Sequence, residues 1–191
     1  MFSVRRRRKL PHLEAPGTIY FVTFRLADSL PRKVLTDLER EARRDADPDP
    51  VAAPRRDRVS PRIEKYLDSG TGACFLARTE VAVVVANAVG IFSGVRYELF
   101  ARCVMPNHVH AVIQPIGEWC LSSILHTWKS FSASEANRLL HRSGEFWQRE
   151  YYDHVVRDKR DLKRVTSYVL ENPVRAGLHE WPWVGIGPYR S

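Results

Sequence analysis

The sequence predicts an α+β fold, a ferredoxin-like antiparallel sheet covered by helices, and three observations support this prediction. Segments dense in β-branched and aromatic residues alternate with segments whose apolar residues recur at helical spacing. The predicted order is strand, helix, helix, two adjacent strands, helix, strand and helix, which is typical of one sheet with helices packed on it. The chain has 191 residues, enough for one domain with a hydrophobic core.

The N-terminal part begins with a basic segment that precedes the first strand. Residues 1–16 are expected to form a mobile basic arm, and residues 17–191 a single domain. Residues 18–26 are rich in β-branched and aromatic side chains, which predicts a central strand. Asp28 or Ser29 is the expected cap of the helix that follows.

A polar, proline-rich insertion is predicted at about 46–72. Its first part, residues 46–61, is expected to be a loop, because prolines and aspartates interrupt every apolar pattern there. A short helix is expected from Pro61 to Leu67 within this insertion.

The remaining elements carry the features that matter for function. A largely buried helix is expected over residues 78–92, ending at Gly94, although the β-branched run from Val81 to Val85 disfavours a helix. Two strands, Arg96 to Met105 and His108 to Gln114, are joined by a tight connection. The expected elements that follow are a helix from Trp119 to His141, an edge strand within Phe146 to Arg157, and a last helix from Arg160 to Glu171 that stops at Asn172-Pro173.

The charge balance favours a polyanionic partner. Thirty Lys+Arg against 22 Asp+Glu give a net charge of +8, which favours nucleic acid over a membrane because no lipidation motif is evident. As an alternative explanation, a source proteome that is generally rich in arginine would give the same excess of positive charge. No apolar run approaches the roughly 20 residues of a membrane helix, and no apolar segment follows Arg5 to Lys9 as in a signal peptide. Cytoplasmic, nucleoid-associated localisation is therefore expected.

Two histidines on one strand form a candidate metal site. Alternate side chains of a strand point to the same face, so His108 and His110 lie side by side while Val109 points to the other face. Two imidazoles in this arrangement are a ready platform for a divalent cation. By spacing alone, a pair of solvated edge histidines is the favoured interpretation, because H-x-H often occurs by chance. The three cysteines form no CxxC pair, so a zinc knuckle or a disulfide framework is not predicted.

The last predicted helix brings a phenol next to a carboxamide. Tyr168 and Asn172 are four residues apart and therefore neighbours on one helix face. The pair is consistent with a nucleophile beside a metal ligand. It is equally consistent with a half-buried aromatic residue and a helix C-cap before Pro173.

A third stretch, residues 146–154, is crowded with aromatic and charged side chains. Aromatic residues interleaved with arginines suit stacking on unpaired bases and contact with phosphates, whereas an edge strand packed on the core would show the same composition. Lys129 is similarly either a solvated helix residue or a phosphate contact. The candidate DNA-binding residues are Arg5, Arg6, Arg7, Arg8, Lys129, Trp147, Arg149, Tyr152 and His154.

These motifs together resemble the HUH single-tyrosine transposases, and in particular the REP-associated tyrosine transposases. The resemblance rests on four motifs, in the family's order, and spans residues 18 to 183. They are M-P-N-H-V-H-A-V-I at 105–113, W-K-S-F at 128–131, F-W-Q-R-E-Y-Y-D-H at 146–154 and Y-V-L-E-N-P-V-R-A-G-L at 168–178.

The resemblance implies a role for each residue of the site. It implies that His108 and His110 bind the metal, that Tyr168 forms a 5′-phosphotyrosine, and that Asn172 is the third protein ligand. Insertion-sequence relatives usually have glutamine four residues after the tyrosine, so Asn172 follows the REP-associated branch. Tyr151 and Tyr152 match the family's DNA-proximal strand and not its catalytic helix.

The implied activity is cleavage and rejoining of single-stranded DNA at palindromic hairpins, the REP elements of this family. A tyrosine hydroxyl has a pKa near 10 and needs assistance to act as a nucleophile. A hard cation such as Mg²⁺ or Mn²⁺ on the scissile phosphate would supply it. Two alternatives stay open from the sequence: a DNA-binding regulator that has lost cleavage, and an RNA-binding module built on the same sheet. The oligomeric state, monomer or homodimer, is also open.

Overall fold

The computed structural model describes residues 3–7, 10–14, 17–31, 33–34, 36–37 and 61–188. Its strands, in chain order, are β1 Ser3–Arg7, β2 Leu10–Glu14, β3 Tyr20–Arg25, β4 Tyr97–Val104, β5 His108–Pro115, β6 Tyr152–Val155 and β7 Val184–Ile186. Its helices are α1 Pro61–Asp68, α2 Thr79–Gly90, α3 Leu121–Leu139 and α4 Lys159–Arg175, with a 3₁₀ turn at Phe75–Ala77. In these ranges no helix combines the length and the apolar character needed to cross a bilayer.

Five strands form one sheet in the order β6-β3-β5-β4-β7, and all neighbours are antiparallel. The first strand of the domain, β3, lies between β5 and the late strand β6. The sequential pair β4 and β5 is a hairpin. This is the strand order expected when two strand–helix–strand units interleave, so the ferredoxin-like α+β prediction is confirmed.

The two faces of the sheet pack against different helices, because alternate side chains of each strand point to opposite sides. Tyr20, Val22 and Phe24 of β3 belong to the main core with buried residues of α2 and α3. On the other face, Val165 and Val169 of α4 pack with buried residues of β4 and β5. The candidate site residues lie on the face that α4 covers.

Helix α1 packs beside the same region through one apolar stripe. Ile63 and Leu67, one turn apart, are buried together with Leu30 and Val34. The short helix expected between Pro61 and Leu67 is thereby confirmed. The loop predicted for the first part of the insertion, and the end of the helix that precedes it, lie outside the described residues.

Three features differ from the sequence predictions. The basic segment is not wholly irregular, since β1 and β2 pair as an antiparallel hairpin; such backbone pairing needs no apolar pattern that composition would reveal. Helix α4 continues through Asn172 and Pro173, because a proline in the last turn removes only one helical hydrogen bond. Strand β7 was not predicted, since three residues are too few to show a period.

Candidate functional site

The histidine pair lies under helix α4 on the covered face of the sheet. Both side chains are buried, with His108 0% and His110 1% exposed. Their Nε2 atoms approach to 2.9 Å. The sequence prediction that the two rings share one face is confirmed, while the alternative of solvated edge histidines is excluded by their burial.

Hydrogen bonds at the opposite ring nitrogens orient the pair. The amide nitrogen of Asn107 donates to the carbonyl of Thr71 at 2.9 Å, which leaves Asn107 Oδ1 facing His108 Nδ1 at 2.7 Å. Because that oxygen only accepts, His108 carries its proton on Nδ1 and presents a lone pair at Nε2. Neutral metal-binding histidines are commonly held in this way, by an acceptor at the distal nitrogen.

Thr23 gives His110 a choice of tautomer. Its hydroxyl oxygen lies 2.8 Å from His110 Nδ1. His108 Nε2 carries a lone pair, so His110 Nε2 must carry the hydrogen of the 2.9 Å contact between the two Nε2 atoms. His110 Nδ1 is then unprotonated and accepts a hydrogen bond from the Thr23 hydroxyl. To bind a cation through Nε2, His110 would have to carry its proton on Nδ1. The Thr23 hydroxyl can stabilise that tautomer too, because its oxygen can accept a hydrogen bond from Nδ1.

Both imidazoles are neutral at physiological pH. Burial lowers the pKa of His110 to about 3. Burial, together with the neighbouring His110, lowers the pKa of His108 well below its ordinary value. The neutral form is the one that ligates metals, so this environment suits the role predicted for the pair.

Tyr168 of α4 lies against the histidine pair. Its ring meets His110 edge to face with centroids 5.4 Å apart, and it meets Phe21 in the same manner at 5.7 Å. Burial and the carboxylates of Glu64 and Asp68 raise the pKa of Tyr168 above its ordinary value, while Arg175 opposes the shift.

Asn172 lies one helical turn beyond Tyr168 and is 1% exposed. Within the part of the chain that the structure describes, its Oδ1 atom has no hydrogen-bond partner. A buried amide oxygen without a partner is costly and is expected where a ligand satisfies it. As α4 continues past this residue, the C-cap interpretation is wrong.

The two imidazoles and the amide oxygen of Asn172 are neutral donors of the kind that could hold a divalent cation. Among the described residues no group of three or more His, Cys, Asp and Glu side chains could hold a metal, so the candidate site consists of neutral donors. The two Nε2 atoms converge to 2.9 Å, so both rings could face one cation.

Two residues predicted to contact DNA, Trp147 and His154, have buried side chains. Trp147 is 4% exposed, packs edge to face on Phe24 with centroids 4.8 Å apart and donates from Nε1 to Ser132 at 2.9 Å. His154 is 6% exposed, with Nε2 2.8 Å from Asp161 Oδ2. Both residues therefore contribute to the stability of the fold, Trp147 through the burial of its apolar ring and His154 through its hydrogen bond to Asp161.

Lys129, predicted to contact phosphate, binds two backbone carbonyls in the structure. Its amino group donates to the backbone carbonyls of Gln148 and Arg149 at 2.7 and 2.8 Å. Burial lowers its pKa to about 8, although the carboxylates of Glu150 and Glu145 oppose the shift. Lys129 thereby holds the segment that leads into β6.

The remaining predicted DNA contacts stay predictions. The Arg149 side chain is exposed and forms an ion pair with Glu145 at 3.1 Å. Tyr152 is half-buried at the sheet edge. The side chains of Arg5, Arg6 and Arg7, and the whole of Arg8, lie outside the described residues.

Sequence reasoning did not find Thr23, Asn107 or Glu64. Asn107 directly precedes the histidine motif, and Thr23 pairs with His110 across β3 and β5. The positions of Asn107 and Thr23 beside the histidines follow once the pairing of β3 with β5 is known. Nothing in the sequence links Glu64 to Tyr168, because α1 reaches α4 only through tertiary packing.

Comparison with known proteins identifies a family for the segment that carries the site. Residues 83–172, which include both histidines, Tyr168 and Asn172, match the family described as transposase IS200 like. A putative REP-associated tyrosine transposase of Haemophilus influenzae is 27% identical over 101 residues, covering 46% of this chain and 57% of the relative. A REP-associated tyrosine transposase of Escherichia coli is 27% identical over 94 residues, covering 46% and 53%.

A solved structure supports the fold across almost the whole chain. It is described as a REP-associated tyrosine transposase bound to a REP hairpin, and it superposes with a TM-score of 0.50 at 16% identity. The superposition covers 95% of this chain and 81% of that one. The matches to the curated relatives span little more than half of their length. By its sequence motifs and these similarities, the chain is similar to the IS200-like transposases over the segment that carries the site, and to the REP-associated tyrosine transposases among them.

Proposed function

We propose that this chain is a metal-dependent tyrosine transposase that cleaves and rejoins single-stranded DNA at palindromic, REP-like hairpins. The observation that carries the proposal is the approach of Tyr168 to His110, with ring centroids 5.4 Å apart. This contact puts the ring of a tyrosine against one of two converging neutral imidazoles. A phenol beside a candidate cation site is the arrangement that phosphotyrosine chemistry requires.

His108, His110 and Asn172 would hold Mg²⁺ or Mn²⁺. When bound, the cation would withdraw charge from the scissile phosphate and stabilise the oxyanions that develop there. All three donors are neutral, so they leave the positive charge of the cation undiminished for the phosphate. The Oδ1 of Asn172, which has no hydrogen-bond partner in the described part of the chain, supports its inclusion.

The chain's own residues would perform the transfer in two stages. The Tyr168 oxygen attacks the phosphorus, and the bond to the 3′ oxygen breaks, which leaves a 5′-phosphotyrosine and a free 3′ hydroxyl. A 3′ hydroxyl later attacks the phosphotyrosine and releases Tyr168. Because the phosphotyrosine retains the energy of the phosphodiester, rejoining needs no nucleotide cofactor.

DNA would be held by exposed cationic and aromatic groups around the sheet edge. Arg149 and Tyr152 lie near β6, and the basic residues Arg5 to Arg8 lie at the start of the chain. The net charge of +8 favours the approach of a polyanion. The relatives named for REP elements, and the solved structure named for its bound hairpin, favour hairpin DNA as the partner.

The test is covalent capture of DNA by Tyr168. Wild-type protein would be incubated with pooled single-stranded hairpins from the repeats of the source genome, with Mn²⁺, and the adduct mapped by peptide mass spectrometry. We expect the 5′-phosphate on the fragment that contains Tyr168, and no adduct with Tyr168→Phe. The matched control, Tyr152→Phe, should form the adduct normally.

Each alternative has its own outcome. Hairpin binding without any adduct in the wild type would indicate a DNA-binding regulator. Tighter binding of RNA than of DNA hairpins would indicate an RNA-binding module. An adduct that maps to Tyr151 or Tyr152 would refute the assignment of the nucleophile.

A further inference from the structure

We infer that the buried guanidinium of Arg25 binds the DNA phosphate that the candidate cation site would hold, an inference that rests on the proposed function and adds a phosphate contact to it. Arg25 is the last residue of β3 and is only 3% exposed. It lies outside every motif that carries the sequence resemblance. A buried charge without an opposite charge is costly, so it is expected where a ligand supplies that charge.

The pairing of β3 with β5 places Arg25 next to the histidines. Arg25 is directly opposite His108, and Thr23 is directly opposite His110. Residues two apart on a strand point to the same face, so Arg25 shares the face of Thr23, whose hydroxyl lies 2.8 Å from His110 Nδ1. Directly opposite residues have Cβ atoms about 5 Å apart. Arg25 therefore leaves the sheet on the face of the candidate ligands, beside one of them.

The hydrogen bonds of Arg25 leave one edge of its guanidinium for a ligand. Its Nη1 atom donates to Ser29 Oγ at 3.2 Å and to the carbonyl of Leu26 at 3.5 Å. Neither bond uses Nε or Nη2, and Nε has no partner within the described residues. The N–H groups of that edge match two oxygens of one phosphate. Nη1 thus anchors the side chain, while Nε and Nη2 can hold an anion.

No carboxylate among the described residues forms an ion pair with Arg25. The ion pairs found in that part of the chain involve other arginines and one histidine. A phosphate on this face would therefore be attracted by an unneutralised guanidinium, whereas a bare divalent cation at the histidines would be repelled by it. Phosphate and cation should consequently bind together more tightly than either binds alone.

The test combines an arginine variant with hairpin DNA in which single phosphates are replaced by uncharged methylphosphonates. Binding is measured in EDTA, so neither a cation nor cleavage contributes to the signal. We expect one position at which the neutral linkage weakens wild-type binding by about 10-fold or more. At that position it should weaken binding by Arg25→Gln less than about two-fold, because the partner of the phosphate is already absent. At every other position the two proteins should show equal losses.

The matched control is Arg102→Gln, which also removes a buried guanidinium. Arg102 is 4% exposed. Its neighbour Cys103 is directly opposite His110, so Arg102 points to the other face of the sheet. Arg102→Gln should therefore respond to each methylphosphonate as the wild type does. Arg25→Lys keeps the charge without the planar fork and should respond at an intermediate level, and it replaces Arg25→Gln in the comparison if that variant does not fold.

Calorimetric Mn²⁺ titration without DNA gives a readout that a disturbed site would not produce. Arg25→Gln removes the charge that repels the cation, so Mn²⁺ should bind about three-fold more tightly or better. Weaker Mn²⁺ binding by Arg25→Gln would indicate a structural role for Arg25 and overturn the inference.

The outcomes separate this inference from the proposed function. Equal responses of Arg25→Gln and the wild type to every methylphosphonate would overturn the phosphate contact alone. No adduct from wild-type protein that binds the hairpin would overturn the proposed cleavage, while the methylphosphonate series would still decide whether Arg25 contacts a phosphate. No hairpin binding by the wild type would overturn both.

Discussion

The Oδ1 atom of Asn107 lies 2.7 Å from the Nδ1 atom of His108 and accepts a hydrogen bond from it. This contact connects the turn before β5 to the candidate cation site, because it determines which ring nitrogen is free. Asn107 is itself oriented by the carbonyl of Thr71, which lies in the segment that follows α1. Asn107 and Thr71, which are not candidate ligands, therefore orient His108 for cation binding.

Replacing Asn107 with alanine should weaken metal binding without removing a ligand. The ring of His108 would lose the acceptor that holds its tautomer, so we expect the half-saturating Mn²⁺ concentration for cleavage to rise by about 10- to 100-fold. His108→Ala, which removes a ligand, should abolish cleavage. Calorimetric Mn²⁺ titration of both variants checks this, with thermal unfolding as the control for folding. Equal Mn²⁺ affinity in Asn107→Ala and the wild type would contradict it.

Asn172→Ala tests the third ligand. The substitution removes a buried oxygen that has no hydrogen-bond partner among the described residues, so no hydrogen bond of that oxygen is lost. We expect the half-saturating Mn²⁺ concentration to rise while the unfolding midpoint falls little. Unchanged Mn²⁺ dependence together with a clear loss of thermal stability would show that Asn172 serves only the packing of α4.

The buried histidines should make stability depend on pH. In the unfolded chain a histidine takes up a proton below about pH 6.5, whereas burial lowers the pKa of folded His110 to about 3. The unfolded state then binds more protons between these values, so the free energy of unfolding falls as the pH falls. The expected slope is up to about 1.4 kcal/mol per pH unit for each histidine.

Urea unfolding between pH 6.5 and 5 measures this slope. The carboxylate of Asp161 stays ionised in this range, because its hydrogen bonds to Arg164 and His154 outweigh burial and lower its pKa to about 2. His110→Asn should have a shallower slope than the wild type. His126→Asn, at an exposed position on α3, is the matched control and should keep the slope. A slope that is the same in all three proteins would refute the prediction.

Trp147 and Arg149 should respond oppositely to truncation. Trp147→Ala removes a buried ring and should lower the free energy of unfolding by about 3–5 kcal/mol. Arg149→Ala should leave stability within about 0.5 kcal/mol, as expected for an exposed side chain, and should weaken hairpin binding. Urea unfolding and fluorescence anisotropy of labelled hairpin measure the two effects. Weaker DNA binding by Trp147→Ala at unchanged stability would restore the stacking role.

The four arginines from Arg5 to Arg8 should contribute to the salt dependence of DNA binding. Each phosphate contact adds about 0.7 to the slope of log affinity against log salt for single strands. Changing all four to glutamine should reduce that slope, while the cleavage rate at saturating DNA stays the same. Binding measured from low to high KCl gives the slope. An unchanged slope would show that the arm does not contact phosphates.

Local periodicity determined much of the site from sequence. The two-residue repeat of β5 places His108 and His110 on one face, and the turn of α4 does the same for Tyr168 and Asn172. These relations depend only on backbone geometry within one element, so no knowledge of the fold was needed. The helix end at Asn172 was mistaken because a proline's cost depends on which turn it occupies.

Tertiary structure decided what periodicity leaves undetermined. Residues 146–151 precede β6 outside the named strands, so nothing local states whether Trp147 points to the core or to solvent. Packing on Phe24 turns it inward. The carboxylate of Glu64 acts on Tyr168 through charge. The two residues lie on helices that are remote in the chain, and the position of α1 depends on its apolar anchoring. Such contacts depend on how whole helices and strands pack together. They therefore cannot be predicted from the local sequence pattern of either partner.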